Sequence, residues 1–206
     1  MKKINVDFYR RENVLQIARE LLGKIVVTRW KGVVTSGRIV EVEAYTGIFD
    51  KASHAFAGRR TARTGMMYAD GGVAYIYLCY GIHHLFNVVT NKKEIPHAIL
   101  IRALEPVKGK DSMLKRFGIN TSDNNRVDKL LTKGPGKLSK ALGITTLNSG
   151  YSLVSKEFFI AADGFSFTKK EIAVSPRIGV DYAGHDALLP YRFYIKGNLF
   201  VSGKPK

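Results

Sequence analysis

The chain has 206 residues, 45% of them hydrophobic and 24% charged, enough for one domain with a real core. Its 33 Lys and Arg outweigh 17 Asp and Glu, and the net charge of +16 costs self-repulsion and suits a polyanionic partner, nucleic acid first. The single cysteine, Cys79, excludes an intrachain disulfide and, with only five scattered histidines, a structural zinc site; with no signal peptide in Met1–Arg10, a cytoplasmic protein is expected.

In chain order, Val14, Ile17, Ala18, Leu21 and Leu22 fall on one helical face, with Asn13 and Gln16 as a capping box and Gly23 as the stop. Lys24–Trp30 and Val33–Tyr45 read as strands joined at Lys31-Gly32. Strand alternation puts Ile39, Glu41, Glu43 and Tyr45 on one face of the second strand and Val40, Val42 and Ala44 on the other. Gly47 to Gly72 is a long connection rich in Gly, Arg and Thr, and a compact domain seldom keeps such a loop without a use for it. Gly72–Cys79 and His83–Thr90 then pair as a hairpin turning at Tyr80-Gly81-Ile82. The surrounding run Gly71–Asn91 holds no Asp, Glu, Lys or Arg, yet its Gly, Tyr, His and Asn and its strand-like alternation exclude a membrane span.

Ala98–Leu104 is a further strand, apolar except for Arg102. Asp111–Phe117 and Ser122–Lys133 read as short helices, and Gly134-Pro135-Gly136 opens a third that Gly143 ends after Leu142. Phe158–Ala162, Glu171–Val174 and Arg192–Ile195 complete the set as strands. The expected fold is α+β: a single mixed domain, 1–206, on a curved, largely antiparallel sheet with surrounding helices and a protruding β-hairpin.

Four groups of residues carry chemistry. Glu43 sits on a strand that should be mostly buried, where a carboxylate needs a partner; Glu41 competes with it, and Arg102, equally misplaced among apolar neighbours, is the natural counter-ion. Such a pair is either purely structural or can hold a water and take its proton. Tyr45 and Tyr77 could form two faces of a slot that grips a flat base, and Tyr80 at a hairpin tip suits a wedge that unstacks a duplex. His54 is either a loop histidine or a contact to a base edge; Arg59, Arg60 and Arg63 are a solvated basic loop or phosphate contacts. Gly134-Pro135-Gly136-Lys137 offers backbone amides and a lysine to an anion at a helix start.

The segments RIVEVEAYTG (38–47), ASHAFAGRRT (52–61), YIYLCYGIHHLFN (75–87), LIRALEP (100–106), GPGKL (134–138), SPRIGV and YRFYIKG together resemble the alkyladenine (3-methyladenine) DNA glycosylases of the methylpurine type, in their bacterial form. The resemblance implies a monofunctional base-excision enzyme that flips an alkylated purine out of double-stranded DNA and cleaves its N-glycosidic bond with water. It implies no metal or other cofactor, no membrane association and a monomer. By position in the motifs, Glu43 would be the general base and Arg102 would help hold the water. Tyr45, His54 and Tyr77 would form the base pocket with Asn87 at its floor. Tyr80 would intercalate, and Arg59, Thr61 and Lys137 would touch the DNA backbone. Ile82, His83 and His84 lie where the family varies, and the loop Thr61–Asp70 fits its pattern loosely. Three other readings compete. GPGKLSKAL looks a little like a helix-hairpin-helix glycosylase hairpin, but Ala141 is one position too far along. A non-enzymatic DNA-bending module would leave Glu43 and Arg102 idle. A base deaminase would need a zinc set that is missing.

Overall fold

The computed structural model describes residues 1–119 and 131–203. Nine strands form one sheet in which every pairing is antiparallel: β1 (Lys2–Lys3), β2 (Ile25–Trp30), β3 (Val33–Tyr45), β4 (Ala74–Cys79), β5 (His83–Thr90), β6 (His97–Lys108), β7 (Phe158–Ala162), β8 (Ile172–Ser175) and β9 (Arg192–Ile195). The main path runs β1-β7-β2-β3-β6-β5-β4, and β9 and β8 branch from β3. Among the described residues the helices are α1 (Val6–Tyr9), α2 (Val14–Leu21), α3 (Lys110–Phe117) and α4 (Pro135–Leu142). The fold is α+β, as the sequence indicates. Among the described residues no helix is long and apolar enough to cross a membrane. The helix expected at Ser122–Lys133 falls largely outside the described residues.

The branch explains the sheet's shape. The first half of β3 pairs with β2, from Val33 to Arg38, and the second half pairs with β9, from Glu41 to Glu43, while β6 flanks both halves. Register shifts lie between the halves, around Ile39, Glu41 and Val42, and a bulge of this kind bends a strand and raises its twist. The bulge also corrects the expected alternation. Ile39 does not share a face with Glu41; it packs in the main core with Val40, Val42 and Ala44. Strict period-two reading cannot see an extra residue in a strand.

That core lies where α2 packs on β3 and β6, and where α4 packs on β5 and β6. Val14, Ile17, Ala18 and Leu21 of α2 are buried against it. Only half of the capping box forms: Asn13 Oδ1 accepts from the Gln16 amide (3.0 Å), but the Gln16 side chain turns to Glu20 (2.8 Å). The α4 start is as expected, with Pro135 in the first turn and Gly143 closing the end in the left-handed region at φ 66°. The connection between β3 and β4 folds into three short 3-10 turns, Gly47–Phe49, Phe56–Gly58 and Gly65–Tyr68. With a second irregular segment, Asp181–Leu188, it surrounds the far end of β3.

Candidate active site

Where the apolar side of β3 faces the core, the other side carries charge. Glu41 and Glu43 are both wholly buried. Arg102, from the adjoining stretch of β6, bridges them: its Nε donates to Glu41 Oε1 (3.0 Å) and its Nη1 to Glu43 Oε2 (3.2 Å). The expected pair is therefore part of a cluster. Arg192, at the start of β9, adds its Nε to Glu41 Oε1 (2.7 Å), and the Ser202 amide donates to Glu41 Oε2 (2.6 Å). Glu43 Oε2 also accepts from the Tyr45 hydroxyl (2.9 Å), and Glu43 Oε1 from the Ile178 amide (2.7 Å). Two buried carboxylates thus meet two guanidiniums, the arrangement that makes burying charge tolerable. Burial works against the charge of Arg102, but Glu43 and Glu41 more than offset it and raise its pKa.

A cleft of about 370 Å³ opens beside this cluster, within the size range of small-ligand sites. Tyr45, His54, Tyr77, Asn87 and Arg102 all line it, so five residues scattered over four segments of sequence converge on one space. Glu43 itself is not on the wall. It lies one hydrogen bond behind, and its three donors, Tyr45, Arg102 and Ile178, all border the cleft. Of the groups that hold Glu41, only Arg102 does, so Glu41 sits one layer deeper. A carboxylate has about four acceptor positions. With three described donors, Glu43 keeps room for one more.

The aromatic walls are held from behind. Burial and the Glu43 charge push the Tyr45 phenol well above its usual pKa, which keeps it a donor. Arg177 lies over the Tyr45 ring, 4.8 Å from its centroid, and is clamped by Asp50 through its two terminal guanidinium nitrogens (2.5 and 2.8 Å). The Tyr75 and Tyr77 rings stand 5.5 Å apart, and the His54 ring meets Tyr77 edge-on at 4.6 Å. His54 Nδ1 shares a 2.9 Å hydrogen bond with the Tyr75 hydroxyl. Burial first, then Arg63 and Arg59, drive the His54 pKa down to about 4, so the ring is neutral at physiological pH. Asn87 donates to the Tyr75 and Leu85 carbonyls (3.1 and 3.2 Å), which fixes its amide at the inner end of the β4–β5 pair.

The β4–β5 hairpin carries Tyr80 at its tip, 91% exposed. Tyr80 and Gly81 both adopt left-handed backbone (φ 51° and 71°). For Gly81 this is free; for a bulky residue such as Tyr80 it costs on the order of 1 kcal/mol, strain of the kind found at functional turns. The hairpin is braced against α4: a Cβ at Gly136 would come within 2.9 Å of the His83 ring, so any larger residue would displace that ring. On the other edge the Thr146 amide donates to His84 Nδ1 (3.2 Å). Gly134, Pro135, Gly136 and Lys137 line the outer cleft beside Tyr80. Arg59 and Thr61 do not line it; they belong to an adjoining cavity of about 440 Å³ with Lys51 and Arg63. Arg60 turns away to a salt bridge with Glu94.

Sequence reading passed over Arg177, Asp50 and Arg192 as site-forming residues. Arg192 lies within Tyr191-Arg192-Phe193-Tyr194-Ile195, a charge inside an apolar strand, the same signal that marked Arg102. Asp50 and Arg177 sit 127 positions apart in irregular segments, where no periodicity links them.

A family model described as methylpurine-DNA glycosylase matches residues 7–199. A protein of Chlamydia felis is 47% identical over 92% of this chain and 94% of its own length. A protein of Clostridium perfringens is 42% identical over 98% of this chain and the whole of its own. One of Desulfitobacterium hafniense is 41% identical over 99% of this chain and the whole of its own. All three bear 3-methyladenine DNA glycosylase as a provisional name.

Proposed function

The chain belongs to the methylpurine-DNA glycosylase family and is a DNA glycosylase of base-excision repair; on that premise we propose that it flips alkylated purines of the 3-methyladenine type out of duplex DNA and hydrolyses their N-glycosidic bond with a water activated by Glu43. The observation that carries this reading is the position of Glu43: wholly buried, directly behind an aromatic-lined cleft, with every described donor on it drawn from the cleft wall.

The chemistry follows from that placement. The purine stacks between Tyr45 and Tyr77 while His54 and Asn87 meet its edges, and Tyr80 fills the gap it leaves in the duplex. As the C1′–N bond stretches, the sugar gains positive charge and the purine takes the bonding electrons. An alkylated base leaves readily, because alkylation has already weakened that bond. Water at the remaining acceptor position of Glu43 attacks C1′, and its proton passes to the carboxylate. Arg102 holds the carboxylate in place. Lys137, Arg59 and Thr61 bind backbone phosphates, and the enzyme acts on DNA as a monomer with no cofactor. The products are free base and an abasic site in an unbroken strand. The test is incubation of methylated duplex DNA with the protein in chelator. Free 3-methyladenine, an intact strand and no borohydride-trapped protein–DNA adduct are expected. A trapped adduct, or no base release, overturns the reading.

A further inference from the structure

Both aromatic walls of the cleft have a guanidinium at their backs. Arg177 lies 4.8 Å from the Tyr45 ring centroid and Arg63 lies 4.7 Å from that of Tyr77. Neither arginine lines the cleft, so each occupies the ring face or edge turned away from it. The two differ in one respect. Asp50 neutralises Arg177, whereas among the described residues no carboxylate pairs with Arg63, which is exposed in the adjoining basic cavity.

An aromatic face attracts a cation through its quadrupole. A guanidinium already drawing on Tyr77 leaves less attraction for a second cation on the other side, and the two like charges repel across the ring. The positive field does reach the cleft: His54, which lines both cavities, has Arg63 and Arg59 among the causes of its lowered pKa, after burial. Arg63 also approaches His54 Nε2 directly, at 3.4 Å.

We propose that Arg63 is a specificity-determining residue that, from behind Tyr77, tilts the cleft toward neutral damaged purines and away from cationic ones. This rests on the purine-excision reading above. A phosphate contact by Arg63 would instead serve all lesions alike, and a structural role would act through folding.

Single-turnover excision at saturating enzyme separates these roles, because it reads steps after DNA binding. Two duplexes of one sequence are compared, one carrying hypoxanthine (neutral) and one 7-methylguanine (cationic). In Arg63→Met the ratio of neutral to cationic excision rates should fall by roughly threefold to tenfold, the range of one partly exposed cation–π contact. Arg63→Lys keeps the charge and should keep the ratio near that of the parent. An unchanged ratio in Arg63→Met, or rates that fall together, overturns the proposal. A parent protein that releases 3-methyladenine from methylated duplex but neither of these bases overturns the proposal alone, and one that releases none of the three overturns the purine reading on which it rests, so the two failures are distinguishable.

Discussion

Glu41→Gln separates the two buried carboxylates. Glu41 receives the Arg102 Nε at 3.0 Å, the Arg192 Nε at 2.7 Å and the Ser202 amide at 2.6 Å, with no exposure to solvent. Glutamine keeps the volume but offers one oxygen. It can face either the arginines or the Ser202 amide, so one donor must meet another. The buried charges change from two guanidiniums against two carboxylates to two against one. Removing one partner of a buried ion pair costs about 3–5 kcal/mol. At roughly 2–4 °C per kcal/mol for a chain of this size, the melting temperature should fall by about 10 °C. The folded fraction should keep most of its excision activity at 25 °C, since Glu43 keeps its own donors from Tyr45 and Ile178. Thermal melting and single-turnover excision on the same preparation check both halves. Parent-like melting with excision abolished would refute the reasoning and move the general base two residues along the strand.

Tyr80→Ala should leave stability nearly unchanged, because the side chain is 91% exposed, yet lower excision from duplex DNA by the equivalent of a few kcal/mol of unstacking; equal loss on single-stranded substrate would contradict its role as a wedge. His54 has its pKa lowered from 6.5 to about 4, so the folded state prefers the neutral ring. Its contribution to stability is present above pH 6.5 and is lost as pH falls from there toward 4; urea unfolding of His54→Gln and parent across that window should show a shallower loss in the variant, and parallel curves would contradict the burial argument.

Much of the site could be read from single residues out of keeping with their neighbours. Arg102 inside an apolar strand and Glu43 between Val42 and Ala44 were conspicuous because burying charge is expensive, and the structure joins them at 3.2 Å. The hairpin was legible from its alternation and its Tyr-Gly turn, and the structure turns it at Tyr80 and Gly81. What escaped was geometry that no period encodes. The bulge near Ile39 turns that residue into the core and lets Glu41 recede behind Glu43. Branching of β9 from β3 brings Arg192 to Glu41, and two irregular segments bring Arg177 to Asp50. These contacts depend on how the sheet divides and on how irregular segments fold back, and sequence spacing carries no trace of either. The short β1 and α1 escaped because two and four residues are too few to show a pattern.

The most direct test of the central claim is the pair of measurements on Glu43→Gln: affinity for lesion-containing duplex and single-turnover base release. Glutamine keeps the shape beside Tyr45 and Arg102 and cannot accept the proton of water. The account predicts binding close to that of the parent with excision reduced on the order of 10²-fold or more. A Glu43→Gln protein that binds normally and still excises within a few-fold of the parent would contradict it.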